Sequence, residues 1–249
     1  MKLNKIDPKF ISKANPRIGL IALGSDFRIE KDFNNVIYGK DIDLYVNRIH
    51  CYNPLTNETL AKMADDITEV TSDILPDQKI DCVAYGCTSG TVAAGYDVIE
   101  KNIKLSKPEA KVTTPITSAI KALKVFNISK ISVFTPYTKS INDSVLNYFK
   151  KENITVNELT YFDIESDLDI GKVDEKYLIE VLSKINLEDS EALFVSCTAL
   201  PVLSIIEKLE KRLNKIVLSS NQTLIWDSLN LIGYKDDIEG FGKLFKIST

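Results

Sequence analysis

The sequence predicts an α/β protein of two pseudo-symmetric lobes, each a parallel sheet flanked by helices, with a ligand site in the cleft between them. Three observations carry this. Short apolar runs alternate with stretches of helical periodicity along the chain, the pattern of parallel strands covered on both faces. The order then repeats: Arg17-Ile18-Gly19 answers Lys130-Ile131-Ser132, Cys87 answers Cys197, and Thr114-Pro115 answers Ser220-Asn221, each about 106 to 113 residues later. Internal duplication is the simplest account. Finally, Asp81-Cys82-Val83-Ala84-Tyr85-Gly86-Cys87-Thr88 and Glu191-Ala192-Leu193-Phe194-Val195-Ser196-Cys197-Thr198 share one plan. Each is an acidic residue, an apolar run suited to a buried strand, a small residue, then Cys-Thr. A strand that ends in such a turn presents its last side chain at the mouth of the sheet, where ligands bind.

The elements follow in order. Arg17 to Leu23 reads as a buried strand that turns at Gly24-Ser25-Asp26, and Asp43 to Cys51 as a second strand. Thr56 to Leu75 has helical periodicity, with Thr56 or Asn57 as its cap. Ile80 to Gly86 is a strand, Ser89 to Asn102 a helix, Lys111 to Pro115 a short strand and Thr117 to Phe126 a helix. The second series has strands at Lys130 to Thr135, Thr155 to Phe162, Ala192 to Ser196 and Lys215 to Ser220. Its helices are Ser140 to Glu152, Asp174 to Ile185, Pro201 to Leu213 and Gln222 to Ile232. The charged segment Glu165 to Asp174 reads as a surface loop that could rim the cleft.

Composition excludes several classes. The 249 residues are 44% hydrophobic and 27% charged with a formal charge of −4, ordinary for a globular chain. No basic stripe suggests a nucleic-acid partner. No apolar run approaches the roughly 20 residues of a membrane span, and Met1 to Lys5 lacks the apolar core of a signal peptide. The expected location is therefore cytoplasmic, where Cys51, Cys82, Cys87 and Cys197 would be free thiols. There is no CxxC pair, and the single histidine, His50, matches no zinc spacing, so no metal is expected. One histidine also argues against Ser-His or Cys-His catalysis.

Cys87 and Cys197 are the candidate reactive groups. Both are expected where a helix begins, which lowers a thiol pKa toward thiolate. The backbone amides of Thr88, Ser89, Thr198 and Ala199 would be free to hold a substrate carboxylate. Cys82, inside an apolar strand, and Cys51, without a counterpart in the other half, read as structural. Tyr137 follows Pro136 just past a strand end, where its phenol could donate to a carboxylate or enolate oxygen. Asn221 could bond substrate or cap the next helix, and Trp226 reads as core.

Taken together, Gly86-Cys87-Thr88-Ser89-Gly90-Thr91, Thr135-Pro136-Tyr137 with Asn142, Ser196-Cys197-Thr198 and Ser219-Ser220-Asn221-Gln222-Thr223 running into Trp226-Asp227 resemble the aspartate/glutamate racemase superfamily. The nearer resemblance is to its maleate cis-trans isomerase and ectoine-utilisation branch, which includes arylmalonate decarboxylases. It spans nearly the whole chain. It implies two α/β lobes, 1–115 and 116–221, with 222–249 packing back on the first, and no cofactor. It also implies a small carboxylate or amino-acid substrate; a homo-oligomer stays open. In the isomerases the first cysteine adds to a double bond, the bond rotates, and elimination follows; the second cysteine assists proton transfer. In the racemases the two thiols act on opposite faces of Cα. Two positions depart from the isomerase pattern: Asp26 and Asp167 stand where Asn binds carboxylate. An ionised Asp repels a carboxylate and suits an amino or amidine group. The reading is a cofactor-independent isomerase or racemase. The alternatives are an amino-acid racemase, a decarboxylase of malonate-type acids, which Cys87 argues against, and a non-catalytic metabolite-binding protein.

Overall fold

The computed structural model describes residues 3–11 and 14–247. Met1, Lys2 and the last two residues of the expected 222–249 segment lie outside them. The strands form two four-stranded parallel sheets of the same topology. The first has the order β2-β1-β3-β4, with β1 (Arg17–Leu23), β2 (Asp43–Ile49), β3 (Cys82–Gly86) and β4 (Lys111–Thr113). The second has the order β6-β5-β7-β8, with β5 (Lys130–Thr135), β6 (Thr155–Tyr161), β7 (Ala192–Val195) and β8 (Ile216–Ser219). The inner strands β3 and β7 are buried along their whole length, as continuous apolar runs require. The registers correspond: Ile18 pairs with Cys82 and Ile131 with Ala192. The cysteine strands therefore occupy equivalent places beside β1 and β5.

Eleven α-helices cover the sheets among the described residues: α1 (Ile29–Ile37), α2 (Asn57–Lys62), α3 (Ile67–Ser72), α4 (Thr88–Ala94), α5 (Tyr96–Ser106), α6 (Pro115–Val125), α7 (Lys139–Lys151), α8 (Asp167–Ile170), α9 (Glu175–Leu182), α10 (Ile206–Leu213) and α11 (Ser220–Leu231). Several differ from expectation for local reasons. No helix was expected between β1 and β2, yet α1 buries Ile29, Phe33, Val36 and Ile37 on one face. The helix expected from Thr56 to Leu75 is α2, a 3₁₀ turn at Met63–Asp66 and α3; its start holds, because Thr56 and Thr59 form a reciprocal cap. Gly95, at φ +88, splits the helix expected at Ser89 to Asn102 into α4 and α5. β4 stops at Thr113, since Thr114 caps α6 and Pro115 is its first residue. Part of the loop expected at Glu165 to Asp174 is α8, with Asp167 buried.

Helix α11 packs on α6 and touches β3, β4 and β8. Its buried Asp227 accepts from Thr113 Oγ1 at 2.5 Å, Ser118 Oγ at 3.2 Å and Lys121 Nζ at 2.7 Å. Trp226 is buried, with Nε1 donating to the Ile247 carbonyl at 2.8 Å, as expected of a core residue. Among the described residues no helix is long and apolar enough to cross a membrane.

Candidate active site

Cys87 is the N-cap of α4, and its Sγ accepts from the Gly90 amide at 3.2 Å. Ser89 Oγ lies 3.9 Å from the same sulfur. Position 90 leaves little room for a side chain: a Cβ there would lie 2.9 Å from Cys87 Sγ, 2.9 Å from Tyr85 Oη and 3.0 Å from Met63 Cε. Cys197 is held differently. It was expected at the start of a helix beginning at Pro201. Instead it sits in a tight turn at φ +93, and only a 3₁₀ turn at Leu203–Ile205 precedes α10. The groups around Cys197 compensate: the Ala199 amide bonds its sulfur, and its own amide donates to Ser220 Oγ at 3.0 Å.

The two cysteine loops are bonded to each other. Thr88 Oγ1 donates to Ser220 Oγ at 2.8 Å, so Ser220 accepts from both loops. Thr198 Oγ1 donates to the Gly86 carbonyl at 3.2 Å. Tyr137, 1% exposed, accepts from Ser196 Oγ at 3.3 Å, and its phenol is close to Cys197 and Cys87. Its turn is set by Thr135 and Asn142: Thr135 Oγ1 donates to Asn142 Oδ1 at 2.5 Å, and Asn142 Nδ2 donates to the Tyr137 carbonyl at 3.1 Å.

Asp26 and Asp167 are both buried beside the thiols. Asp26 Oδ1 accepts from the Arg28 and Ile29 amides at 2.7 and 3.0 Å, so it caps α1. Asp167 accepts from Ser25 Oγ at 2.5 Å across the two lobes. Asn221 does not cap α11; Ser219 does, accepting from the Gln222 amide at 3.2 Å. Asn221 Nδ2 instead donates to Asp32 Oδ2 at 2.7 Å and to the Thr198 carbonyl at 2.8 Å. Thr88, Ser89, Cys87, Cys197, Tyr137, Asp26, Asp167, Thr198, Ala199 and Asn221 thus converge at the facing ends of the two sheets.

The electrostatics correct a second expectation. Burial pushes both thiols well above their ordinary range rather than toward thiolate; the Gly90 amide and Ser89 hydroxyl oppose this at Cys87, and the Ala199 amide at Cys197. Asp167 is raised to about 6 and Asp32 to about 7, burial being the main cause in each. Asp26 is also raised by burial, against the Ile29 and Arg28 amides.

Four neighbours lie outside the site residues that the sequence singles out: Ser25, Asp32, Ser220 and Cys51. Cys51, taken as structural, is buried but faces Ser25 and lies near Asp167 and Cys87. Burial raises its thiol to about 11. Cys51 lies just past the end of β2, which stops at Ile49 rather than at Cys51 as expected, opposite Leu23 at the end of β1. Cys82 is fully buried away from these groups, beside Asp227 and Ser228, as expected.

Two like α/β lobes, each bringing a buried thiol to the same place at the facing sheet ends, define a two-cysteine α/β scaffold. The sequence profile of the arylmalonate decarboxylase family matches residues 38–245, and the chain belongs to that family. A maleate isomerase of Geobacillus stearothermophilus is 24% identical over 243 residues, 92% of this chain and 96% of its own length. The maleate isomerase Iso of Pseudomonas putida S16 has the same fold, with a TM-score of 0.84 and 20% identity over 92% of this chain and 98% of its own. So does a Nocardia farcinica maleate cis-trans isomerase variant with a covalently bound succinylcysteine intermediate, at a TM-score of 0.85 and 17% identity over 94% of this chain and 99% of its own.

Proposed function

We propose that the protein is a cofactor-independent isomerase of small carboxylates, of the maleate cis-trans isomerase type, with Cys87 as nucleophile and Cys197 as the opposed acid/base. The observation that carries this is the bonding of the two cysteine loops through Ser220 and through Thr198 to Gly86. Thiols held this way act on one small molecule from two sides. The maleate isomerase relatives, and the succinylcysteine described for one of them, support thiol addition as the step.

In this reading the Cys87 thiolate bonds to one alkene carbon, and the π pair moves onto the conjugated carboxyl group. The former double bond rotates, the pair returns, and the C–S bond breaks to leave the trans acid. Cys197 lends and recovers a proton, and Tyr137 donates to the oxygen that gains charge. The Thr88, Ser89 and Thr198 amides hold the carboxylate, the Ala199 amide being taken by the Cys197 sulfur. Free thiols throughout agree with a reducing, cytoplasmic setting.

The test is proton NMR of the protein with maleate, aspartate and glutamate in D₂O. Conversion of maleate to fumarate, lost by a factor of about 10³ or more in Cys87→Ala and Cys197→Ala, is the expected result. Full activity in Cys197→Ala would sink the two-thiol mechanism.

A further inference from the structure

Two acceptor oxygens in the site have no donor. Asp26 is 1% exposed, its Oδ1 is taken by the Arg28 and Ile29 amides, and its Oδ2 has no partner. Asn221 is 2% exposed, and its Oδ1 has none either. The amide orientation of Asn221 is set by chemistry: its nitrogen faces the Thr198 carbonyl, which can only accept, so the oxygen is the free end. Both residues adjoin Thr198: its hydroxyl donates to the Gly86 carbonyl at 3.2 Å and lies within reach of the Asp26 carboxyl, and its carbonyl accepts from Asn221. Asp167 adds a second buried carboxylate near Asp26 and Cys197.

A buried acceptor without a donor is costly and marks a group that a ligand satisfies. At pH 8, above the value of about 6 to which Asp167 is raised, a second ligand carboxylate would lie beside the ionised Asp167 and would leave the Asn221 oxygen without a donor. We infer that the substrate end facing Asp26 and Asn221 is an N–H donor, a carboxamide or an ammonium group, so that a nitrogen-bearing acid is preferred over a dicarboxylate without nitrogen such as maleate. This rests on the isomerase reading for its chemistry, though not for its binding preference. A cis-butenedioic acid monoamide balances in the same steps. The C–S bond forms at an alkene carbon as the π pair moves onto the conjugated carbonyl. Rotation and C–S cleavage return the pair, and nothing is oxidised or reduced.

The experiment is calorimetric titration of the full chain at pH 8 with maleamate, maleate and L-aspartate, run in Cys87→Ala to prevent turnover, then with Asp26→Asn added. Asparagine keeps an oxygen for the α1 cap, and a thermal melt checks the fold. The expected result is a preference of about tenfold or more for a nitrogen-bearing ligand over maleate, lost or reversed in Asp26→Asn. Maleamate ahead identifies the carboxamide and aspartate ahead the ammonium; either supports the inference. Maleate bound as tightly as both, with no change in Asp26→Asn, overturns it. Proton NMR of the wild-type chain with the same ligands separates the two readings. Turnover of maleate without a nitrogen preference keeps the isomerase and removes the inference; the preference without any turnover does the reverse.

Discussion

Thr198 Oγ1 donates to the carbonyl oxygen of Gly86 at 3.2 Å, bonding the residue after one cysteine to the residue before the other. Ser220 completes the join by accepting from Thr88 Oγ1 and from the Cys197 amide. The separation of the thiols is thus set by short bonds between the ends of β3, β7 and β8. Short, buried connections of this kind hold reacting groups to the tolerance catalysis requires.

Ser220→Ala tests that join. It leaves a buried amide and a buried hydroxyl without their acceptor, at a cost of about 1–3 kcal/mol. In a chain of this length that lowers Tm by about 3–10 °C. Activity should fall further than stability, by about 10² in kcat with little change in KM, because the Cys197 turn loses its anchor. Calorimetry and initial rates check it; an unchanged kcat would mean the turn at φ +93 holds itself.

The raised thiols give a pH signature. Burial favours the neutral form of Cys87 and Cys197, so the free protein is a dithiol at neutral pH. Because attack needs thiolate, kcat/KM should climb about tenfold per pH unit from about 6.5 and go on climbing past about 8.5, where an ordinary thiol would level. A flat profile over that range would show that the proton leaves only after substrate is bound. Iodoacetamide labelling of the free protein should follow the same rise.

Most of the architecture was legible because buried parallel strands announce themselves as unbroken apolar runs. Ile18 to Leu23 and Ala192 to Val195 could hardly be anything else. Helix α1 is equally legible, since Ile29, Phe33, Val36 and Ile37 recur at helical spacing, but it is short and follows directly on the turn signal Gly24-Ser25-Asp26. That signal also masks the role of Asp26 as its cap. Cys87 and Cys197 were found by internal symmetry, but symmetry misled at the second. Its loop lacks the immediate helix of the first, and nothing in Cys197-Thr198-Ala199-Leu200-Pro201 signals φ +93. The raised thiols follow from enclosure by both lobes, which no local window contains. Ser25, Cys51 and Ser220 reach the site only through strand pairing.

Asp167 carries a stability cost with a defined sign. Its carboxyl is raised from 3.8 to about 6, chiefly by burial. A folded value above the unfolded one means that its contribution is full below about 3.8 and is lost as pH rises through about 6. Asp167→Asn should therefore raise Tm at pH 8 by about 3–8 °C, from about 1–3 kcal/mol, and change it little at pH 4. Asparagine still offers an oxygen to Ser25. A variant no more stable at pH 8 than the parent would mean that Asp167 is solvated in solution.

Gly90→Ala probes the closest packing in the site. The position is helical and the added methyl brings no backbone strain, so the fold should persist. The methyl would lie 2.9 Å from both Cys87 Sγ and Tyr85 Oη, inside any normal contact. Tyr85 is 1% exposed and cannot withdraw, so the thiol is the group that must turn. That rotation weakens the Gly90 amide bond to sulfur, now 3.2 Å, and moves the thiol off the line of attack. The expected outcome is a loss of about 10² or more in kcat, with Tm lowered by only a few degrees. Rates, melts and thiol labelling made on one preparation distinguish the possibilities. Normal turnover would show that the sulfur has a second productive position and that the Gly90 bond is dispensable.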